Sequence, residues 1–324
     1  MLYPFTFQPI FKERPWGGRS LERLYRKPLP PAALIGESWE VADRPGDATT
    51  IANGPLAGRD LRWLMEHRAS ELLGRVRAQN GRFPLLIKIL DARRTLSVQV
   101  HPPPSEAARL GGEPKTEMWY VADAAPGAEL YAGLKAGVTS ESFAAKIQTG
   151  QVAECLHRLR VEQGDAIFLP SGRVHAIGAG LVIFEIQQNS DTTYRVFDWN
   201  RSGLDGKPRA LHIPESLACI DFQDFEPALI SRGYSPKNGL EFRPLAHNPL
   251  FGVEILRART QARLPLAKAG LKILGLAAGS ACVAGHDHSV ELRKGEFCLV
   301  PAEVRPSEMT LAAGSEVLLI QPGG

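Results

Sequence analysis

Ser97-Val98-Gln99-Val100-His101-Pro102 is the stretch on which the reading of this chain turns. With strand periodicity, Leu96, Val98 and Val100 face one way and Ser97, Gln99 and His101 the other. The polar set is short-chained and holds two good metal donors. Pro102-Pro103-Pro104 must end the strand, because proline has no N–H for the ladder. A strand that presents Gln-x-His just before a proline stop is either the lip of a binding cavity or a solvated antiparallel face.

Upstream, Phe83 to Leu90 reads as a buried strand carrying one lysine, Lys88. In Ile35-Gly36-Glu37-Ser38-Trp39-Glu40-Val41, alternation puts Ile35, Glu37, Trp39 and Val41 on one face. Glu37 there is either a cavity group or a surface carboxylate beside a half-buried Trp39, and on this stretch alone the surface reading is favoured. Between these strands the period changes: Leu61, Leu64, Met65, Leu72, Leu73 and Val76 recur at helical spacing, with arginines on the remaining face. One or two amphipathic helices on the outside of a sheet are predicted over 58–79.

Downstream, Glu106 to Leu110 fits a short helix, and Lys115 to Val121 a strand with Lys115, Glu117 and Trp119 on one face. Residues 137–160 read as helical, with Gly150 as a break. Gly164-Asp165 is a turn leading into a strand, and Leu181 to Gln187 is a strand with Ile183, Glu185 and Gln187 together. Residues 200–240 are looser, with one proline-capped helical segment from Pro214. From Asn248 onward short apolar runs are split by Gly275, Gly279, Gly285, Gly295 and Gly314, the spacing of a sandwich or barrel. The expected organisation is all-β, with a first domain over 1–235, including helical additions, and a smaller β domain over 236–324.

Composition narrows the function classes. In 324 residues the charged fraction is 23% and the formal net charge +3, which gives no reason to expect nucleic acid or an anionic membrane as partner. Cys155, Cys219, Cys282 and Cys298 lie far apart, so reduced thiols are expected and a thiolate metal site is not. No apolar run reaches the roughly eighteen residues of a membrane span. The opening Met1 to Phe7 lacks the basic start and apolar core of a signal peptide, so a cytoplasmic protein is expected.

Gln99, His101, Glu117 and His175 are the candidate metal donors, a nitrogen and oxygen set that suits a borderline divalent ion such as zinc. His286-Asp287-His288 is a second His-x-His, but no matching downstream histidine follows it, and a solvated turn is expected there. His157 and His212 have no partner pattern and are expected to be structural.

Gly164-Asp165-x-x-x-x-Pro170-x-Gly172-x-x-His175 resembles the second motif of the cupins, whose first motif places metal-binding His and Glu on neighbouring strands. Gln99-Val100-His101-Pro102, Lys115-Thr116-Glu117-Met118-Trp119 and the run from Glu185 to Arg195 narrow the resemblance to type I mannose-6-phosphate isomerases in their short bacterial form. Gly36-Glu37-Ser38-Trp39 is similar as well. The resemblance implies a cupin (jelly-roll) barrel plus a second, metal-free cupin-like β domain. It implies one zinc ion per chain on Gln99, His101, Glu117 and His175. It implies Arg195 as the catalytic arginine and Ser97, Lys115 and Glu185 as lining the cavity; the chemistry of the reaction adds Glu185 for proton transfer and Lys115 as a catalytic cation, with Ser97, Lys115 and Arg195 against a hexose phosphate. The longer relatives carry tyrosine two places after the second histidine; here that place is Ile177. The activity implied is interconversion of mannose 6-phosphate and fructose 6-phosphate through an enediol; the sequence does not reveal the oligomeric state, and a monomer is favoured. A metal dioxygenase and a non-catalytic sugar-phosphate-binding cupin are the competing readings.

Overall fold

All eight residues of Leu181–Gln188 are buried, because this strand is covered on both faces. The fold follows from that double cover. The computed structural model describes residues 1–237, 239–266, 270–285, 287–304 and 307–323. Its first half contains β1 (Ile10–Gly18), β2 (Ile35–Val41), β3 (Leu85–Ala92), β4 (Val98–Val100), β5 (Glu117–Ala124) and β6 (Glu129–Leu134). These are followed by β7 (Leu156–Arg160), β8 (Ala166–Leu169), β9 (His175–Ile177), β10 (Leu181–Gln188) and β11 (Tyr194–Phe197). A six-stranded sheet runs β8-β5-β10-β3-β2-β1 and faces a five-stranded sheet β7-β6-β9-β4-β11. All pairings are antiparallel. This two-sheet, mostly-β arrangement is the cupin-type fold expected from the sequence.

A second pair of sheets follows. It is built from β12 (Ser235–Lys237), β13 (Leu240–His247), β14 (Phe251–Arg257), β15 (Ala262–Pro265) and β16 (Lys272–Ala278). The remaining strands are β17 (Ser280–Gly285), β18 (His288–Arg293), β19 (Phe297–Val300), β20 (Ser307–Leu311) and β21 (Glu316–Pro322). Six strands run β12-β13-β14-β21-β16-β19 and four run β15-β20-β17-β18.

Period two explains how the halves join. On β10, Ile183, Glu185 and Gln187 point between the first pair of sheets, and Val182, Phe184 and Ile186 point away. The outward set belongs to one continuous apolar core with Phe251, Val253 and Phe297 of the second pair. Phe184 meets Phe297 edge to face, with centroids 5.4 Å apart. Burying each such ring contributes about 1.5–3 kcal/mol. The N-terminus also crosses over: Phe5 and Leu299 exchange backbone hydrogen bonds of 2.8 Å.

The helical additions differ in part from expectation. Over 58–79 the chain makes two short helices, Leu61–His67 and Ala69–Leu73, the first capped by Asp60 accepting the Trp63 N–H at 2.7 Å. Over 137–160 only Ser140–Gln148 is α-helical; Val152–Cys155 is a 3-10 turn and Leu156 opens β7. Gly150, with φ of 70°, ends the helix in the left-handed region, and the apolar residues beyond it belong to a strand. Among the described residues no helix is long and apolar enough to cross a membrane.

Candidate active site

Strand register assembles the site. On the five-stranded sheet, Arg195, Gln99 and His175 are cross-strand partners in one row over β11, β4 and β9. On the facing sheet, Trp119, Glu185, Lys88 and Trp39 make a second row over β5, β10, β3 and β2. Glu117 sits two residues from Trp119 on the same inward face. The rows look at each other, so residues far apart in sequence converge without any long loop.

The turn before β9 explains the Gly-Asp and Pro-x-Gly spacing. Gly164 and Gly172 both hold φ of 90°, where a side chain is strained. Asp165 Oδ2 accepts the Glu162 N–H at 2.8 Å and closes the first turn. Gly172 N–H donates to His101 O at 2.9 Å, which fixes the second turn against the other histidine.

His101, Glu117 and His175 are all buried, and their ligating atoms lie within 4.8 Å of one another. His101 Nδ1 donates to Thr192 O at 2.8 Å and His175 Nδ1 donates to Arg173 O at 2.9 Å. A carbonyl can only accept, so each ring carries its proton on Nδ1 and turns an Nε2 lone pair inward. Those nitrogens stand 3.4 and 3.3 Å from opposite oxygens of Glu117. Neither Glu117 oxygen accepts a well-directed hydrogen bond, although Lys115 Nζ is 2.7 Å from Oε2. Two aimed lone pairs and an orphaned buried carboxylate are a donor set that a divalent cation would satisfy. Gln99 Nε2 donates to the His175 Nε2 lone pair at 3.2 Å, so the amide would turn its Oε1 inward to join such a set.

The electrostatics suit the same use. Burial pushes the His175 imidazole down to about 3, against the opposing pull of Glu117. Burial, then Lys115, also lowers His101. Both rings therefore stay neutral, as ligands must. Burial alone would raise Glu117, but the Lys115 ammonium outweighs it and holds the carboxyl well below its ordinary range.

A cavity of about 530 Å³ opens beside this cluster. Ser97, Gln99, Lys115, Glu185 and Arg195 all line it, so every expected non-cluster site residue reaches one space. Glu185 Oε2 accepts the Trp119 indole N–H at 2.9 Å, and Oε1 lies 3.6 Å from Lys88 and 3.9 Å from Lys115. Burial and then Glu117 raise its proton affinity despite the lysines. Arg195 Nη1 donates to Ala210 O at 2.9 Å, and its Nε has no acceptor among the described residues. Asp198 pairs with Arg201 and Arg209 at 2.7 and 2.5 Å and leaves Arg195 to the cavity. Ile177 is buried in the apolar end of the sandwich. A hydroxyl from that position is therefore not available.

Three cavity residues were not singled out by sequence. Glu37 corrects the expectation of a surface group: it is 8% exposed, and Trp39 is fully enclosed at 2%. It accepts from Trp39 Nε1 at 2.7 Å and Arg14 Nε at 2.7 Å. Burial resists its ionisation, but Lys88 and Arg14 bring it down to about 2. Lys88 lies 3.7 Å from Glu37 and 3.4 Å from Asp191. Its signal was present, as the single cation in an apolar run. Arg14 reaches in because Gly36 is bare: a Cβ there would meet Arg14 Cβ at 2.6 Å. The rim loop that bears Arg209 leaves β11 through Trp199 and Asn200, both in the left-handed region at 56° and 51°.

Among the described residues, none of the remaining histidines lines the cavity. His212 Nδ1 accepts the Arg195 backbone N–H at 3.2 Å, a structural role as expected. His286 lies outside the described residues. His288 is half-buried, not in a free turn, with its ring 4.6 Å from that of Tyr3.

Comparison with known proteins gives the chain's relatives. A family model, the catalytic domain of type I phosphomannose isomerase, matches residues 5–123. A mannose-6-phosphate isomerase of Streptococcus mutans is 35% identical over 307 residues, 94% of each chain. Mannose-6-phosphate isomerase ManA of Bacillus subtilis is 42% identical over 223 residues, 67% of this chain and 68% of that protein. The crystal structure of a mannose 6-phosphate isomerase from Bacillus subtilis superposes with a TM-score of 0.88 at 29% identity, covering 99% of this chain and 100% of that one.

Proposed function

The chain belongs to the type I phosphomannose isomerases, and on that premise we propose that it interconverts mannose 6-phosphate and fructose 6-phosphate with one zinc ion per chain. The observation that carries the reading is the buried His101–Glu117–His175 cluster opening onto a cavity that holds Glu185 and Arg195. Gln99, His101, Glu117 and His175 would hold the ion; bound there, it would act as a Lewis acid that polarises substrate oxygens.

The reaction moves a proton between C1 and C2 through an enediol. That needs a base at the carbon and positive charge near the developing oxyanion. Glu185 is the proposed base. Its Oε2 is occupied by Trp119, so Oε1 is the atom that takes and returns the proton. Burial that raises its proton affinity brings it nearer the working range of a general base. Arg195 stays protonated and offers a guanidinium fork to the oxyanion or the phosphate. Lys115 donates to the His101 Nε2 lone pair at 3.1 Å when that lone pair is free. With the lone pair used by an ion, Lys115 keeps Glu117 and the Glu185 side of the cavity. Ser97, at its edge, completes the substrate contacts.

We assign residues 1–235 to the catalytic domain and 236–324 to the β domain that covers its outer face. The four free thiols fit a reducing compartment, and the protein is proposed to act in the cytoplasm as a monomer. Glu185→Gln tests the central role: zinc content should be unchanged while kcat falls about a hundredfold or more. Turnover near wild type would remove Glu185 as the base.

A further inference from the structure

Behind the six-stranded sheet, on the seam between the two halves, lies a second cavity of about 410 Å³. It shares no lining residue with the cavity of the isomerase site. Arg243, Arg257 and Arg232 line it, with Tyr120 and Tyr234. Two of the three cations are already answered. Arg257 Nε donates to Glu316 at 2.6 Å and Arg232 Nε to Asp165 at 2.6 Å. Glu241 at 3.7 Å and Glu162 at 3.4 Å add to those same two arginines.

Arg243 is different. It is 2% exposed, deeper than either neighbour. Its Nη2 donates to the backbone oxygen of Gly164 at 2.6 Å, and its Nε finds no acceptor. It also stands 5.5 Å from the Tyr234 ring, which Arg257 covers more closely at 3.9 Å, and Asp165, already held by Arg232, feels its charge from beyond ion-pair distance. Among the described residues no carboxylate pairs with it. A guanidinium is kept out of water only where something compensates its charge. Backbone oxygen and a ring face supply part of that, and an anion in the adjoining cavity would supply the rest.

We propose that this seam cavity binds a small oxyanion of the phosphate class, with Arg243 as its principal ligand and Arg232 and Arg257 beside it. A planar fork of donors suits tetrahedral oxygens, and the phenol of Tyr234 offers a further donor, whereas that of Tyr120 is given to Glu316, which also lines the cavity, at 3.3 Å. The occupant bridges the halves, since Gly164 and Tyr120 come from the first and Arg243 and Arg257 from the second. Free phosphate and the phosphate of a sugar share this chemistry.

Equilibrium dialysis of the full chain against labelled inorganic phosphate, at constant ionic strength, tests the site. Wild type should take up one phosphate per chain more than Arg243→Gln, with turnover of that variant unchanged. Extra uptake that persists under saturating fructose 6-phosphate assigns free phosphate; displacement of it assigns a phosphorylated sugar. Equal uptake by the two proteins overturns the proposal. If Arg243→Gln does not fold, Arg232→Gln decides, because its side chain is half exposed. That variant should bind the extra phosphate about tenfold more weakly, the loss of one charge-assisted contact. Unchanged affinity there overturns the proposal equally.

Discussion

Both halves of the molecule are pairs of facing antiparallel sheets, yet they fill the space between them differently. In the first, β10 turns Ile183, Glu185 and Gln187 inward. In the second, Gly275 and its partner Phe297 face the first half, so Leu274 and Leu276 of β16 point between the sheets. Leu274 and Leu276 are fully buried members of an apolar core. The first interior instead gathers Glu37, Lys88, Lys115, Glu117 and Glu185, all buried. Buried charge costs stability unless each group is answered, and here each cation sits between carboxylates. The difference teaches a division of labour. The second half and the shared seam supply apolar burial, and the first half can hold a polar, strained interior for chemistry.

The largest contrast should come from His175→Ala. Outer partners of metal ligands alone account for tenfold to a hundredfold effects, so loss of the ligand itself should lower turnover and zinc affinity about a thousandfold. Metal content and rate measured together check it; unchanged zinc affinity would break the contrast. Leu276→Ala should do the opposite. Urea unfolding should show a loss of about 2–5 kcal/mol while kcat of the folded protein is kept. A fall in kcat without loss of stability would merge the two regions.

Acid should separate them next. Glu37 is held at about 2 in the fold against 4.5 for a free side chain, so its ionised form stabilises the native state. That contribution is complete above about pH 4.5 and is lost as pH falls towards about 2. Glu37→Gln should therefore flatten the dependence of unfolding free energy on pH in that window. Parallel curves for the two proteins would count against the buried pair with Lys88. The smallest effect is expected from Gln99→Ala, an amide donor among stronger ligands: about tenfold weaker zinc binding, read by competition with a chelator.

Much of this was legible in sequence where periodicity carried it. Ser97, Gln99 and His101 share a face because β4 alternates, and the glycine turns deliver His175 next to Gln99. Glu37 was misread because alternation tells which residues share a face, not whether that face is covered. A register shift between Trp39 and Val41 also breaks the pattern within β2. Residues 137–160 read as helical on both sides of a break at Gly150, because the apolar positions beyond it fit both periods. Arg14 and Arg243 gave no local signal. Their roles depend on what lies across a sheet or a seam, which spacing along the chain does not encode.

The most direct measurement is coupled conversion of mannose 6-phosphate to fructose 6-phosphate, before chelation, after it, and after zinc is returned. The account predicts turnover that disappears with the metal and recovers with zinc. Conversion that persists in metal-free protein, or no conversion with zinc bound, would contradict it.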